Sequence, residues 1–401
     1  MLIGKKIGII ITGDIPTPSE GASIILFYYY LKAIVDANAN VYCLCIVQPG
    51  TLNEQKIKKL EELLPNLILD VQESKAILFD IYISIHDRTN GKCPDTLKGL
   101  IGFAPEGLLC FDLQAAAFGR FVPAKVKTVW LGDLQFHTLW FHFLYTLKER
   151  LMSIKQLPYT LLGVRGWRRQ YKKVLSHFSN IIVSSYSSVA VLKKMGILSN
   201  YAPYPWPALV PSVQQRSEKP KFLFFGSLLG LGSRSALHML LDKIYPLLIR
   251  NWGNDGFCIR IAGRSTMNPK TQMQIASCPE IASLGFVDDL SEEIARCHAV
   301  LAPMDVPVGN RSRILTALSA GAVLIAHKNV TLGNPDLVSG VNCLLASDAE
   351  SFVEAMKHSV NEHSTMEQIA NNGRKMYADK FSVESAAPLF ANFFRSYFSH
   401  S

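Results

Sequence analysis

Short apolar runs alternate with amphipathic stretches along the chain. Each run has the length of a buried strand, and the stretches between the runs space their apolar residues as helices do. In the first half the runs are 6–12, 41–47, 67–71, 77–85, 108–113, 126–131 and 181–185. Such an alternation predicts a parallel sheet that is covered by helices on both faces.

The pattern stops in a proline-rich stretch and then starts again. Residues 201–211 read YAPYPWPALVP and 212–220 are polar, which together predict a linker. Apolar strand runs return at 221–225, 257–262, 281–287, within 294–304 and at 322–326, and helical spacing then fills 349–358, 366–380 and 383–398. A chain of 401 residues with one such interruption is expected to form two domains.

Composition supports two packed cores. Hydrophobic residues make up 49% of the chain and charged residues 18%, which argues against disorder. The eight cysteines include no CxxC pair, so we expect buried thiols in a reducing cytoplasm. The sequence shows no secretory signal and no membrane-spanning run, so a cytoplasmic location is expected.

The net charge is +9, and basic residues crowd one region around 148–173. They are Lys148, Arg150, Lys155, Arg165, Arg168, Arg169, Lys172 and Lys173, opposed by Glu149. Large apolar residues lie among them, and they include Trp140, Phe141, Leu161, Leu162 and Trp167. This mixture suits peripheral contact with an anionic membrane, and it is also typical of a solvated helix face above core aromatics. Nucleic acid is not expected as a partner, because no nucleic-acid-binding module accompanies the charge.

Two loops of the second half combine glycine with arginine. The strand run 221–225 leads into GSLLGLGSR, where three glycines permit close backbone approach to a ligand and Arg234 adds a cation. The run 303–327 reads as a loop, a helix and a buried strand, with Arg311 and Arg313 in the first helical turn. A helix N-terminus with two cations suits a diphosphate. The alternative is an ordinary βαβ unit whose arginines lie on a solvated face.

Residues 309–323, GNRSRILTALSAGAV, resemble the G-T-R-x-K-I-L-E-A-x-A-x-G-x-P-V pattern of retaining nucleotide-sugar glycosyltransferases, the large family-four group of the GT-B fold. The stretches FFGSL at 224–228, FCIRIAGR at 257–264, IASLGFVDDL at 281–290 and GVNCLL at 340–345 also resemble segments of that family. The resemblance implies an α/β fold with two Rossmann-like domains facing across a cleft. Residues 1–205, with the last helix 383–401 packing back on them, would hold the acceptor, and 206–382 would hold the donor.

The same resemblance implies a set of donor-binding residues. They are Gly226, Ser227, Gly232, Arg234, Gly263, Arg264, Phe286, Val287, Gly309, Asn310, Arg311, Arg313 and Thr316. Thr316 stands where the family has a glutamate that holds the donor ribose, and a hydroxyl is a shorter, uncharged partner. On the acceptor side, Gly21, Ala22 and Ser23 match the family's first loop loosely, and a plain surface turn is the alternative.

Polar residues at the end of strand run 126–131 are further candidates. Asp133 and His137 follow this run, and functional residues of open α/β sheets gather at the carboxyl ends of strands. Asp133 is equally consistent with a helix N-cap, and His137 with a packed histidine on an aromatic helix. We take Asp133, His137, Arg234 and Arg311 as the candidate catalytic residues.

The expected activity is transfer of a sugar from a nucleoside diphosphate sugar to a glycan, a lipid-linked glycan or a protein, with retention implied by the resemblance. The sequence has no D-x-D motif, so no metal is implied, and no cofactor is expected beyond the donor substrate. The arginines and the helix N-terminus would stabilise the leaving group. Because Thr316 replaces the glutamate, a catalytically impaired homologue that serves as a binding or partner subunit is the alternative. An incomplete GxGxxG pattern speaks against a nicotinamide dehydrogenase.

Overall fold

The structure is a computed structural model. It describes residues 2–19, 21–75, 93–148, 152–213, 217–263, 269–307 and 312–399. The chain divides into two compact units: unit 1 comprises Met1–Pro205 and Val383–Ser401, and unit 2 comprises Trp206–Ser382. The apolar run predicted at 77–85 lies outside the described residues.

Unit 1 contains a parallel sheet with the strand order β3-β2-β1-β4-β5-β6-β7. Its strands are β1 Lys6–Gly13, β2 Asn40–Val47, β3 Leu67–Glu73, β4 Gly107–Phe111, β5 Val126–Leu131, β6 Asn180–Val183 and β7 Asn200–Tyr201. Its helices before the linker are α1 Ala22–Asp36, α2 Glu54–Leu63, α3 Lys98–Phe103, α4 Asp112–Gly119, α5 Gln135–Lys148, α6 Leu157–Leu175 and α7 Tyr186–Lys194. In the part of the chain described, this is the strand–helix alternation that the apolar runs predict.

Unit 2 repeats the plan with the strand order β10-β9-β8-β11-β12-β13. Its strands are β8 Lys221–Phe225, β9 Cys258–Ala262, β10 Ile281–Gly285, β11 Ala299–Ala302, β12 Leu324–His327 and β13 Leu344–Ala346. Its helices are α8 Leu231–Met239, α9 Tyr245–Trp252, α10 Pro269–Ala276, α11 Leu290–Ala295, α12 Ser312–Ser319, α13 Ala349–Asn361 and α14 His363–Lys380. The final helix, α15 Val383–Ser399, belongs to unit 1.

Aromatic rings join α15 to the core of unit 1. The ring of Phe390 lies 4.1 Å from that of Tyr30 on α1, centroid to centroid. Tyr30 in turn lies near Phe111 at the end of β4 and Trp130 on β5. All four side chains are fully buried. Because large aromatic side chains remove much apolar surface from water, this cluster ties the end of the chain to the first helix.

Two helices are longer than the spacing predicts. The spacing of residues 166–178 predicts a basic helix there, but α6 begins at Leu157, with Pro158 in its first turn. Gly163 and Gly166 weaken the helical pattern in the sequence, yet both lie on the buried face. The spacing of residues 236–248 predicts a second helix, but the helical segment begins at Leu231 and passes through a π-helical segment, Leu240–Ile244, between α8 and α9.

Most cysteines of the chain lie in the cores of the two units. Cys43, Cys45, Cys110, Cys278, Cys297 and Cys343 are buried free thiols, whereas Cys258 is half-buried and Cys93 exposed. Among the described residues, no helix is both long enough and apolar enough to cross a membrane.

Candidate functional site

The strand order of unit 2 places two loops side by side. Strand β8 pairs in parallel with β9 on one side and with β11 on the other. The order in which successive strands are added to the sheet therefore reverses between β8 and β11. In open parallel sheets, ligands bind at the carboxyl ends of the strands at this reversal point. The loops that follow β8 and β11 are the glycine- and arginine-bearing segments singled out in the sequence.

Backbone hydrogen bonds tie the ends of three strands together. The N–H of Gly226, just after β8, donates to the carbonyl of Ala262 at 2.9 Å. The N–H of Gly263, just after β9, donates to the carbonyl of Gly285 at 2.6 Å. A Cβ atom built at Gly263 would lie 2.1 Å from the Gly226 carbonyl oxygen, so only glycine allows these two loops to approach this closely.

Arg313 lies buried beneath the β8 loop. It belongs to the first turn of α12 and only 9% of its surface is exposed. Its guanidinium group lies over the ring of Phe224, 4.3 Å from the centroid, and its Nη2 donates to Ser233 Oγ at 2.9 Å. Its Nη1 also lies 3.6 Å from the sulfur of Met304. The sequence shows Arg313 at the right place on the helix but not that this cation is held inside the protein.

The glycines of the β8 loop make room for this arginine. Gly226 has φ +118°, which L side chains rarely adopt, and a Cβ atom there would lie 2.7 Å from Arg313 Nη2. Gly232 faces Met304, since its added Cβ would lie 3.3 Å from the sulfur. Ser233 Oγ donates to the carbonyl of Ser227 at 2.5 Å, so the hydroxyl that accepts from Arg313 also shapes the loop. The structure therefore brings Gly226, Ser227, Gly232 and Arg313 together.

Thr316 lies one turn beyond Arg313 and takes part in two hydrogen bonds. Its hydroxyl donates to the carbonyl of Ser312 at 3.0 Å and accepts from Trp206 Nε1 at 2.9 Å. Trp206 is fixed in turn, because Tyr377 donates its hydroxyl to the Trp206 carbonyl at 2.6 Å. A hydroxyl has two acceptor lone pairs, so one remains on Thr316 for a ligand.

The other predicted donor residues surround this centre to different degrees. Arg234 is half-buried in the first turn of α8, next to Ser233. Phe286 follows β10 with 60% of its surface exposed, and Val287 beside it is half-buried. The predictions for Arg264, Gly309, Asn310 and Arg311 fall outside the described residues.

The arrangement in unit 2 is suited to an anion. Arg313 is a permanent cation, and burial strengthens its field because the surrounding dielectric is low. Glycine loops at the ends of β8 and β9 leave their backbone accessible to a close ligand. An exposed aromatic ring such as Phe286 can stack on a planar base. These features would suit a phosphorylated nucleotide.

The reversal point of unit 1 lies between β1 and β4, and it is built differently. The loop after β1 ends at Gly21, which has φ +71° and precedes α1. Ala22 begins that helix, and Ser23 has an exposed side chain. In the same loop Asp14 pairs with Lys56 Nζ at 2.8 Å. The predicted acceptor residues Gly21, Ala22 and Ser23 therefore lie at the carboxyl edge of this sheet.

Asp112 is a candidate that the sequence reading overlooked. It follows β4 directly and has φ +70°, a left-handed conformation that aspartate tolerates better than most residues. Its Oδ1 accepts the Gly132 N–H at 2.9 Å. Burial raises the pKa of the Asp112 carboxyl to about 6, the Gly132 N–H opposes that shift, and the nearby Asp133 adds to it. The available signal was an aspartate inside the apolar run 108–113.

Asp133 and His137 both lie in the segment that follows β5, and Asp133 is the one that interacts with the Asp112 carboxyl. Asp133 is exposed after β5, and the pKa of Asp112 responds to its charge. His137 is half-buried in the first turn of α5, where its ring lies 5.0 Å from that of Phe141. Burial and the nearby Arg168 lower the pKa of His137, so its imidazole is neutral at pH 7. The structure thus brings Asp112 and Asp133 together at the β4 and β5 ends.

Part of the chain is similar to a known protein family. Residues 219–362 match a family model described as glycosyl transferases group 1, a range that lies in unit 2 and covers less than half of the chain. Comparison with curated proteins gives no match.

Solved structures resemble the chain over almost its full length. HepE from Anabaena, in complex with UDP and glucose, gives a TM-score of 0.65 at 14% identity, over 98% of this chain and 100% of HepE. A glycosyltransferase from Rickettsia africae gives 0.69 at 9% identity, over 99% and 100%. The lipopolysaccharide outer core galactosyltransferase WaaB gives 0.61 at 12% identity, over 99% and 100%. The two parallel-sheet α/β units are therefore those of the GT-B glycosyltransferase fold, which confirms the fold class predicted from the sequence.

Proposed function

We propose that this protein is a glycosyltransferase that moves a sugar from a nucleoside diphosphate sugar to an acceptor hydroxyl. The observation that carries the proposal is Arg313, a buried cation that lies directly under the Gly226 loop at the reversal point of unit 2. The family match of residues 219–362 covers this loop and this helix. HepE, similar in fold, is a protein whose complexes with UDP and with UDP-glucose are known.

On the donor side, unit 2 holds the nucleotide. The diphosphate lies at the Gly226–Gly232 loop, near Arg313, Arg234 and the start of α12. The base lies at Phe286 and Val287, and a ribose hydroxyl forms a hydrogen bond with the Thr316 hydroxyl. Arg311, two positions before Arg313 in the sequence, would add a second permanent cation.

During the reaction the bond between the sugar C1 and the diphosphate oxygen breaks, and a bond from C1 to the acceptor oxygen forms. The acceptor proton passes to an oxygen of the departing phosphate, so no separate protein base is required. Negative charge grows on the diphosphate in the transition state, where preorganised cations stabilise it most. Arg234, Arg311 and Arg313 fill this role without a metal, and the anomeric configuration is retained.

Unit 1 receives the acceptor, a glycan, a lipid-linked glycan or a protein. Its carboxyl groups at Asp112 and Asp133 suit sugar hydroxyls, because carboxylates accept hydrogen bonds from hydroxyl donors. Gly21, Ala22 and Ser23 line the same edge, and the neutral His137 lies in the adjacent helix.

Isothermal titration of the purified protein with UDP, GDP and ADP tests the donor site. One of these is expected to bind, and the matching nucleotide sugars are then screened for hydrolysis with and without EDTA. NMR of the product anomer reads out retention. Failure of all three diphosphates to bind refutes the proposal for the donor site.

The second candidate is a catalytically impaired homologue that acts as a binding or partner subunit. Thr316 favours it, because its hydroxyl is engaged by Trp206 and by the Ser312 carbonyl where the family has a carboxylate. Nucleotide binding without any hydrolysis or transfer would select this candidate.

A further inference from the structure

Helices α5 and α6 form a hairpin on unit 1. At one end, the Met152 N–H donates to the Thr146 carbonyl at 3.2 Å, so the chain turns back on itself there. At the other end, Arg168 lies over the ring of Phe136, 5.3 Å from its centroid. The two helices therefore run in opposite directions, and the described residues 144–148 and 152–162 lie at the tip of the hairpin.

The tip exposes large apolar side chains. They are Leu144, Ile154, Tyr159, Leu161 and Leu162, with exposures of 37%, 65%, 70%, 38% and 57%. These are five of the twenty large hydrophobic side chains exposed in the described part of the chain, and they fall within nineteen residues. We call this set the tip cluster. Single exposed apolar residues are ordinary, but such a cluster marks a contact surface.

The exposed face of α6 continues from the tip cluster as a row of cations. Arg165, Arg168, Arg169, Lys172 and Lys173 are all exposed, while Trp167, Tyr171 and Val174 on the opposite side are buried. The sequence from 150 to 205 contains nine lysines and arginines and no aspartate or glutamate. One stretch of unit 1 thus carries positive charge of a single sign, undiluted by acids.

We propose that the tip cluster and the cationic face of α6 dock on an anionic lipid surface. Apolar side chains at one end enter the acyl boundary, and the cations along the same helix face meet the phosphate headgroups. A protein partner would be expected to favour mixed charges around the apolar patch. Nucleic acid would leave Ile154, Leu161 and Leu162 without a role. The proposal concerns unit 1 alone and does not depend on the nucleotide chemistry of unit 2.

Vesicle co-sedimentation tests it with the full-length protein. The protein is expected to bind vesicles of phosphatidylcholine mixed with phosphatidylglycerol, to bind pure phosphatidylcholine at least tenfold more weakly, and to dissociate at high salt. The triple change Arg165→Gln, Arg169→Gln and Lys172→Gln should lower the partition coefficient at least tenfold, since each surface cation contributes about fivefold. The triple change Ile154→Ser, Tyr159→Ser and Leu162→Ser should lower it as well.

Matched controls are available elsewhere on the surface. Lys58 and Lys59 are exposed on α2, and Met273 is exposed on α10. The double change Lys58→Gln and Lys59→Gln, and separately Met273→Ser, should leave vesicle binding unchanged. Circular dichroism verifies that each variant is folded.

A depth measurement separates insertion from a purely electrostatic contact. The variant Tyr159→Trp should show more quenching of its tryptophan fluorescence by brominated lipids than the unchanged protein shows. The variant Ile68→Trp, on the edge strand β3, should show no more quenching than the unchanged protein. Absence of wild-type binding to anionic vesicles overturns the proposal. The proposal is also overturned if both triple variants bind the vesicles as strongly as the unchanged protein does. Binding of the protein to single-stranded oligonucleotides without any binding to vesicles would overturn it as well.

Discussion

The reversal points of the two units have the same topology and opposite chemistry. In both sheets the first strand is flanked by the second and the fourth, so two loops meet at the carboxyl edge. In unit 2 these loops hold glycines and a buried guanidinium, whereas in unit 1 they hold the carboxyl groups of Asp112 and Asp133. Topology therefore decides where a ligand can bind, and the side chains decide which charge it carries.

The two sites also differ in how they respond to pH. Arg313 keeps its charge at every physiological pH. Asp112 has its pKa raised to about 6 by burial, so its charge changes within the accessible range. Disturbing the unit 2 site should therefore affect packing and anion binding, and disturbing the unit 1 site should affect pH-dependent stability.

The largest effect is expected from Gly226→Ala. The new Cβ atom would lie 2.7 Å from Arg313 Nη2 at a φ of +118°, so both the backbone and the buried guanidinium must shift. We expect a loss of about 3 kcal/mol in the free energy of unfolding, measured by chemical denaturation. Gly230→Ala is the matched control in the same loop, because its added Cβ meets nothing within 4 Å. Equal losses in the two variants would contradict the packing role of Gly226.

A smaller effect is expected from Arg313→Met, which keeps an unbranched side chain and removes the cation. Affinity for the nucleoside diphosphate should fall at least tenfold, about 1.4 kcal/mol, by isothermal titration. Arg313→Lys should retain part of the affinity, since charge remains while the planar contact with Phe224 is lost. Arg296→Met, at the half-exposed C-cap residue that follows α11, should bind the nucleoside diphosphate as the unchanged protein does. If Arg313→Met binds the nucleoside diphosphate as tightly as the unchanged protein does, Arg313 is not part of the donor site.

Asp112→Asn tests the unit 1 site. Because the folded pKa is raised from 3.8 to about 6, ionising this carboxyl costs folding free energy, and the cost grows as pH rises from about 4 to about 6. Asparagine carries no charge and tolerates φ +70°. The full shift corresponds to about 3 kcal/mol. Because the Asp112 side chain is only partly buried, the variant should be more stable than the unchanged protein by about half of that, about 1.5 kcal/mol, above pH 6. Below pH 4 the advantage should vanish.

Denaturation at about pH 8 and about pH 4 measures this difference. Asp133→Asn serves as a comparison, because removing that neighbouring charge should lower the Asp112 pKa and give a smaller gain. A pH-independent difference between Asp112→Asn and the unchanged protein would show that the carboxyl does not titrate as described.

The smallest effect is expected from Thr316→Val. The change leaves Trp206 Nε1 without its acceptor at Thr316 and should cost about 1 kcal/mol of unfolding free energy. Nucleotide affinity should fall only a few-fold, because one lone pair of the hydroxyl is offered to the ribose. Thr331→Val is a control on a half-buried threonine that donates to the Lys328 carbonyl. A large loss of affinity with no loss of stability would reverse the roles assigned to Thr316.

Sequence reading located the elements well where apolar runs have clear ends. The predicted runs 126–131 and 221–225 coincide with β5 and β8, since Gly132 and Gly226 end them and polar residues precede them. It failed at the start of α6, where Gly163 and Gly166 serve close packing rather than helix termination. Spacing alone does not distinguish these two uses of glycine.

The candidate site was predicted in part for a similar reason. Arg313 was found because it stands in a recognisable pattern, but its burial under Gly226 arises from contacts with Phe224 and Ser233, which are 89 and 80 positions away in the chain. Asp112 was missed because a single aspartate at a strand end has no pattern, and its positive φ is a property of the folded backbone. Side-chain chemistry that depends on long-range contacts must be read from the structure.

The pairing of Trp206 with Ser382 has a practical consequence. These residues form a parallel bridge, and they are the first and last residues of unit 2. Unit 2 is therefore an insert in the sequence of unit 1, and its first and last residues lie side by side. A separate fragment 206–382 would keep its two termini next to each other. Truncating the chain after residue 382 instead removes Phe390 from the aromatic cluster of unit 1. The loss of stability should then appear in unit 1, around Tyr30 near the start of the sequence.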